Sequence, residues 1–513
     1  MSETVLGQSP PNGISVLVVG AGVGGLMTAI ECSRRGCRVQ IVERAKSTVT
    51  TGDSFAIGPS AIAAFRNYPE MQAENELIAY NPLMKFCDHL GNLVKGPMDF
   101  KDLLAGASVD EGKRIYRHSR PKFHAMLLAQ LERMGLKVEY GHQVVEYTEG
   151  IDRGLGGVVL KDGSRIEADL VVAADGLNGA SWHLIAGKPV PARGSGDAIF
   201  RVAYPVEIAL KDPAIAERFP FSEDGRDMIE MWMGPDYTFS VWRNHDEMSW
   251  ALSRPDPGTA KESWGNKVDH AEVLKFTATI PDWPEVADRV IMTTPMDQLV
   301  DWKLMWRDPQ PKWTSPGGRV VQLGDAAHTF LPQSGNGGTQ AMEDAISLAT
   351  CISIAAMAKN PKESIPDATR VHNLLRFERV SCLQAFGVQN RKKIRSDHSK
   401  EPANRDSKST NGNPKLTNGH GKPVNGNSKP GKAPGGGGGG KSNLLHVGKW
   451  ILNYDPEKYT VENYQKALAH LKEGSPFQNT NTPPGLVYRP WTIEGLLKAH
   501  ENGEPTILDG DWD

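Results

Sequence analysis

The sequence predicts an α/β protein, a helix-flanked parallel sheet interrupted by a mainly antiparallel β-sheet domain. Three observations predict it. The apolar run Ile14–Val19, "ISVLVV", passes straight into the turn "GAGVGGL" and then into an apolar helical stretch. Two later apolar runs, in "DLVVAADG" (Asp169–Gly176) and "GRVVQLGDAAH" (Gly318–His328), each end at an acid beside a glycine. Between Ala198 and roughly Pro255 the pattern changes to alternation. Unbroken β-branched runs mark strands buried on both faces, as in parallel sheets, whereas alternation marks antiparallel strands with one covered face.

The elements follow in order. Ile14–Val19 reads as a buried parallel strand, and the helix after it ends at Gly36, whose position suits the left-handed residue just past a helix. "CRVQIVER" is the second strand. From Leu136 to Gly176, "LKVEYGHQVVEYT" and "GVVLKDGSRIEADLVVAADG" read as hairpins leading to a buried strand, Leu170–Ala174. "AIFRVAYPVEIAL", "MIEMWMG", "YTFSVWR" and "MSWALS" form the antiparallel block, and Gly318–Ala358 returns to the α/β pattern. We therefore expect a first α/β part over 14–190 and a β-sheet domain over 191–290. A second part of the same α/β unit, with helices, covers 291–396, and a helical segment with an extended arm covers 442–513. Residues 397–441 have only Leu416 and Val424 as bulky apolar groups and no Phe, Tyr or Trp. Such a stretch cannot bury enough surface to offset its ordering entropy, so it is expected to be a disordered insertion after the basic "RKKIR" (Arg391–Arg395).

Bulk properties narrow the class. A net charge of −3 gives no reason to expect nucleic acid or an anionic membrane as partner. The five cysteines, Cys32, Cys37, Cys87, Cys351 and Cys382, are scattered without a CxxC and look like reduced core residues. The N-terminal "MSETVLGQSPPNG" lacks the basic and apolar regions of a signal peptide. The longest apolar run, Val16–Ile30, has 15 residues and four glycines, short of the ~20 that span a bilayer. A soluble, cytoplasmic protein is expected.

Gly20-x-Gly22-x-x-Gly25 lies between a strand and a helix, the context that a dinucleotide loop requires. Gly20 permits the tight turn, Gly22 lets the backbone approach a pyrophosphate, and Gly25 lets helix and strand pack closely. Glu43 ends the second strand, where a carboxylate accepts ribose hydroxyls and repels a 2′-phosphate. This Rossmann-like unit leaves NAD or FAD as ligand. Gly335, Asn336, Gly337 and Gly338 precede a further helix, and backbone N–H groups at a helix start attract negative charge.

The ordered set GxGxxG, "DLVVAADG" and "GDAAH…P…GNGG…EDA" resembles the FAD-dependent aromatic hydroxylases, the single-component flavoprotein monooxygenases, in their salicylate-hydroxylase-like fungal branch. The resemblance covers Ile14 to about Arg391 and resumes at Trp450 with "NYDPEKY". It implies that Gly20, Gly22, Gly25 and Glu43 hold the ADP half of FAD. Arg120, in "HSRPKFHAMLLAQL", would approach the flavin, and Asp175 with Gly176 would lie near the pyrophosphate. Asp325 would accept hydrogen bonds from the ribityl chain or hold the pyrophosphate region. Pro332, Gly335, Asn336 and Gly337 would border the isoalloxazine, where the N–H groups of Gly337 and Gly338 stabilise the anionic reduced ring. The chain departs from the pattern at Gly179 and Trp182, which stand where the family carries a serine and an arginine, and at Asn336 in place of glutamine.

The activity so implied consumes NADPH or NADH and O2. It hydroxylates a phenolic small molecule through a flavin C4a-hydroperoxide, in secondary metabolism, with no metal. Arg201, in "AIFRVAY", would stabilise a phenolate, and Tyr237, with Trp242 on the same segment, would line the pocket. His328 suits loop packing better than base catalysis, and His124 reads as structural. Epoxidation of an isoprenoid side chain and oxidative dearomatisation are the neighbouring reactions. An FAD-linked dehydrogenase and a non-catalytic carrier of this fold are the alternatives of different class.

Overall fold

A computed structural model describes residues 5–48, 52–99, 113–263, 265–396, 448–502 and 510–511. The expected disordered insertion, 397–441, lies outside the described residues.

The cofactor half is built on a parallel sheet of five strands in the order β17-β11-β1-β2-β7. These are β1 (Ser15–Val19), β2 (Arg38–Glu43), β7 (Val138–Tyr140), β11 (Leu170–Ala173) and β17 (Val320–Gln322). Val16, Leu17 and Val18 are at most 1 % exposed, as an unbroken β-branched run requires. The helix Val23–Arg34 packs on one face with Leu26, Met27 and Ile30 fully buried. On the other face lies a three-stranded sheet of β8 (Val144–Gly150), β9 (Leu155–Leu160) and β10 (Arg165–Ala168), all antiparallel. The expected hairpins are these three strands. β7 leaves them to pair with β2 at the edge of the parallel sheet.

The second half is a seven-stranded sheet ordered β16-β12-β15-β14-β13-β4-β5. Its centre is β12 (Arg193–Pro205), β13 (Met228–Met233), β14 (Thr238–Arg243) and β15 (Glu247–Pro255). It also takes in β4 (Leu83–Cys87), β5 (Leu93–Met98) and β16 (Val300–Trp306), which flank that block in the chain. Strand alternation gives the sheet two distinct faces. In one transverse row Phe200, Leu252, Phe239, Trp232 and Cys87 are successive neighbours. They form one core with Val273 of the helix His270–Thr277 and with Ala287, Val290 and Ile291 of the helix Glu285–Met292. The adjacent row, Arg201, Ala251, Ser240, Met231 and Phe86, points the other way, toward the cofactor half.

Two long helices join the halves. Gly337–Ala356 runs buried through the centre, and Ile365–Ser396 packs along it. The helix Pro456–Glu473 also packs on Gly337–Ala356, and its Glu457 pairs with Arg34 and Arg35 at 2.9 and 2.7 Å. Among the described residues, no helix is long and apolar enough to cross a membrane.

Candidate active site

The three motif glycines are separated by what surrounds them. A Cβ on Gly20 (φ +104°) would stand 2.3 Å from the Ala174 carbonyl, so the turn abuts the start of the "ADG" loop. One on Gly25 would stand 1.9 Å from the Gly20 carbonyl. One on Gly22, the residue before the first helical turn, would meet nothing within 4 Å. Gly20 and Gly25 are thus required by packing, while Gly22 opens onto space at a helix start with no side-chain cap. Glu43 holds this loop, its Oε2 accepting from Ala21 N at 2.9 Å and its Oε1 from Ala45 N at 2.8 Å. The His124 ring contacts the Ala21 carbonyl of this loop at 2.7 Å.

The "ADG" loop closes one side. Tyr147 donates to Asp175 Oδ2 at 2.7 Å, while Oδ1 has no hydrogen-bond partner. Burial pushes this carboxyl up to about 6. The departure at Gly179 has a steric reason, because a Cβ there would stand 2.3 Å from Asp175 Oδ1. The departure at Trp182 is also filled. The Arg307 guanidinium lies 5.0 Å from the centre of the Trp182 ring, donates to Leu177 O at 2.9 Å and reaches Ala326 O at 3.5 Å. It ties the Asp175 loop to the Asp325 loop.

Within Gly318–His328, Asp325 is the one exposed residue. Desolvation by the surrounding protein raises the pKa of its carboxyl, while the charges of His328, Arg120 and Arg307 pull it back. That is the situation of an acid inside a charged cleft. His328 itself is buried, and its Nε2 meets Asp344 Oδ2 at 2.6 Å, behind the loop. Pro332 and Gly335 are exposed, and Gly335 takes φ +61° with no atom within 4 Å of a Cβ. Asn336 donates its side-chain amide to Ser334 O and does not cap the helix Gly337–Ala356, so the first N–H groups of that helix are left for a ligand. A Cβ on Gly338 would press on Ile57 and Phe55 of β3 (Ser54–Ile57), at 2.9 and 3.2 Å.

Beyond this helix start lies the Arg201 face of the large sheet. Arg201 is 9 % exposed and lies 6.0 Å from the centre of the Trp302 ring. Its Nε donates to Asp53 Oδ2 at 2.9 Å, and its Nη2 pairs with Asp53 Oδ1. Arg120 Nε stands 3.3 Å from the same Oδ1, and its guanidinium covers the Phe55 ring at 4.8 Å. Ser240, Ala251 and Met231, neighbours of Arg201 on this face, are only partly buried. Trp242 is on the same face, edge-on to Tyr80 at 4.9 Å.

Tyr237 needs correction as a pocket residue. It shares the alternation of Phe239 and Val241, so it stands on the helix-covered face. There it packs on Phe276 and Trp283 and donates its hydroxyl to His89 O at 3.1 Å. Sequence reasoning missed Asp53 and Arg307. "TTGDS" carries no periodic signal, and nothing in local spacing ties residue 53 to 120 and 201 or residue 307 to 182. Among the described residues no cluster of His, Cys, Asp or Glu is arranged to hold a metal.

A glycine-cradled helix start, a second uncapped helix start and an acid open to the cleft between them define a dinucleotide flavoprotein, and these groups fit FAD. The FAD binding domain family matches residues 13–365. The chain is 40% identical to the FAD-dependent monooxygenase dmxR9 of Cryptosporiopsis sp., over 98% of this chain and 91% of that one. It is 38% identical to fsr3 of Gibberella fujikuroi, over 98% and 90%. Among solved structures, native FqzB superposes with a TM-score of 0.73 at 26% identity, covering 93% of this chain and 99% of FqzB. CtdE in complex with FAD and substrate gives 0.73 at 25% identity, covering 90% and 100%. Salicylate hydroxylase shares the fold, with a TM-score of 0.57 at 20% identity, covering 77% of this chain and 90% of that one. The chain belongs to the FAD-dependent monooxygenases.

Proposed function

We propose that this monooxygenase hydroxylates a phenolic small molecule of secondary metabolism, with NADPH or NADH as electron donor and O2 as oxygen source. Bound FAD supplies the hydride-accepting and oxygen-activating chemistry. The chain's own groups do the rest. The N–H groups around Gly22 and the start of the first helix receive the pyrophosphate, and Glu43 accepts from the ribose hydroxyls. Asp325 accepts from the ribityl region. The first N–H groups of Gly337–Ala356 stabilise negative charge at the ring.

The observation that carries the substrate class is the placement of Arg201. It is fixed by a bidentate pairing on the sheet face that turns toward the cofactor half, beside the partly open Ser240, Ala251 and Met231. A guanidinium positioned there lowers the pKa of a phenol and makes its ring carbons more nucleophilic. Trp302 and Met231 offer apolar surface for an aromatic ring and limit water.

The test is the visible spectrum of the purified protein, recorded without oxygen before and after NADPH, with and without a panel of phenolic acids. A yellow protein that bleaches faster with a phenolic acid, and then transfers labelled oxygen from O2 to it, is expected. Bleaching with no label in any product would support a dehydrogenase instead.

A further inference from the structure

Asp53 stands where the two halves meet, with 8 % of its surface exposed. It serves two cations on different halves. Arg201 comes from β12 of the large sheet, and Arg120 opens the helix Arg120–Arg133 of the cofactor half. Asp53 Oδ1 is shared by both, and the Asp53 carbonyl also accepts from Arg120 N at 3.0 Å. Arg120 covers Phe55, and the Phe55 ring leaves no room for a side chain at Gly338, where an added Cβ would stand 3.2 Å from it. Contacts therefore run from Arg201 through the Asp53 carboxylate and Arg120 to Phe55, which lies beside the start of the helix Gly337–Ala356.

Asp53 Oδ1 is bound by Arg201 and stands 3.3 Å from Arg120 Nε, so the two guanidinia divide the charge of one carboxylate. An anionic aromatic ligand that takes donors from Arg201 weakens the hold of Arg201 on Asp53. The carboxylate then strengthens its pairing with Arg120. We propose that Asp53 is a positioning residue that couples an anionic aromatic ligand at Arg201 to the placement of Arg120, and so to the retention of FAD. The proposal rests on the assignment of Arg201 as the anion-binding end of the cleft. Coupling of this kind is reciprocal, so the ligand tightens FAD by the same factor as FAD tightens the ligand.

The test uses the FAD-loaded protein with salicylate as probe. Two readings are taken, the change in flavin absorbance on titration and the temperature at which heating releases fluorescent FAD. In the wild type, salicylate is expected to perturb the flavin band and raise the release temperature by several degrees. Asp53→Asn is expected to stay yellow while the salicylate-induced rise falls to less than half, and Asp53→Glu to recover part of it. A merely structural Asp53 would lower the release temperature with and without salicylate alike. An undiminished rise in Asp53→Asn therefore overturns the proposal. If Asp53→Asn purifies without flavin, Arg120→Lys reads the link from the other end, and a full rise there also overturns it. A yellow wild type that shows neither perturbation nor rise overturns both the coupling and the anion-binding role of Arg201, yet leaves FAD in place. A colourless protein that cannot be reloaded would instead strike at the cofactor.

Discussion

Two of the arginine–carboxylate clusters in this molecule differ in what closes them. Behind the Asp325 loop, Arg376 meets Glu343 at 2.6 Å and Asp344 at 2.8 Å, and Arg379 meets Glu343 at 2.8 Å. All four side chains have no exposed surface. Two acids balance two arginines, and the remaining donors reach Gln340, Trp450 O and Asn481 O. At the seam, Asp53 is divided between Arg120 and Arg201, and the Arg120 side chain is 43% exposed. The closed cluster fastens the helices Gly337–Ala356 and Ile365–Ser396 and the chain beyond residue 448. The seam cluster leaves the Arg120 side chain partly open to solvent. Arginine–carboxylate density alone therefore does not mark a site; on the function proposed above, openness and a shared partner are what distinguish the seam cluster.

Breaking the closed cluster should have the largest effect. Arg376→Met leaves Glu343 and Asp344 undercompensated in the core, and should lower unfolding free energy by about 3–5 kcal/mol. Urea unfolding followed by circular dichroism measures it. Removing charge from the open cluster should act on turnover instead. Arg201→Gln should reduce kcat/KM for phenolic acids by about a hundredfold, near 2.7 kcal/mol. Its stability loss should be held to about 1–2 kcal/mol because Asp53 keeps Arg120.

A third change sharpens what closure without partners costs. His118 is fully buried among Phe55, Tyr116 and Phe123, with neither ring nitrogen hydrogen-bonded, and burial pushes its pKa down to about 4. An unfolded imidazole titrates near ~6.5. The unfolded chain therefore takes up the proton first, and the wild type loses stability as pH falls from about 6.5 toward 4. His118→Phe should escape that loss. The stability difference should grow by on the order of 2 kcal/mol between pH 7 and pH 4.5, read as diverging melting temperatures. The smallest effect concerns the two sheet faces. Tyr237→Phe removes the bond to His89 O and should cost ~1 kcal/mol of stability with kcat/KM unchanged.

Much of this was legible from local pattern. The parallel strands announce themselves as unbroken β-branched runs, and the glycine loop, Asp175 and Asp325 sit at strand ends where period and punctuation coincide. The antiparallel block is equally plain from its alternation. Alternation does not say which face the helices cover, however, so it cannot tell that Tyr237 stands on the covered one. The residues Tyr237, Phe239 and Trp242 put aromatics on both faces of one segment, so composition could not decide. Asp53 and Arg307 act through partners 67 to 148 residues away in the first case and 125 in the second, differences read from Asp53, Arg120 and Arg201 and from Trp182 and Arg307. No local period encodes such pairings. The recruitment of β4, β5 and β16 into the large sheet is likewise a product of long-range pairing.

The most direct test is a crystal structure of the FAD-loaded protein with a bound phenolic acid. The isoalloxazine is expected between the Gly335–Gly338 loop and the Arg201 face of the large sheet, with the ligand's anionic oxygen on Arg201. A ligand seated on the opposite face, among Tyr237, Trp283 and Phe276, would contradict the account.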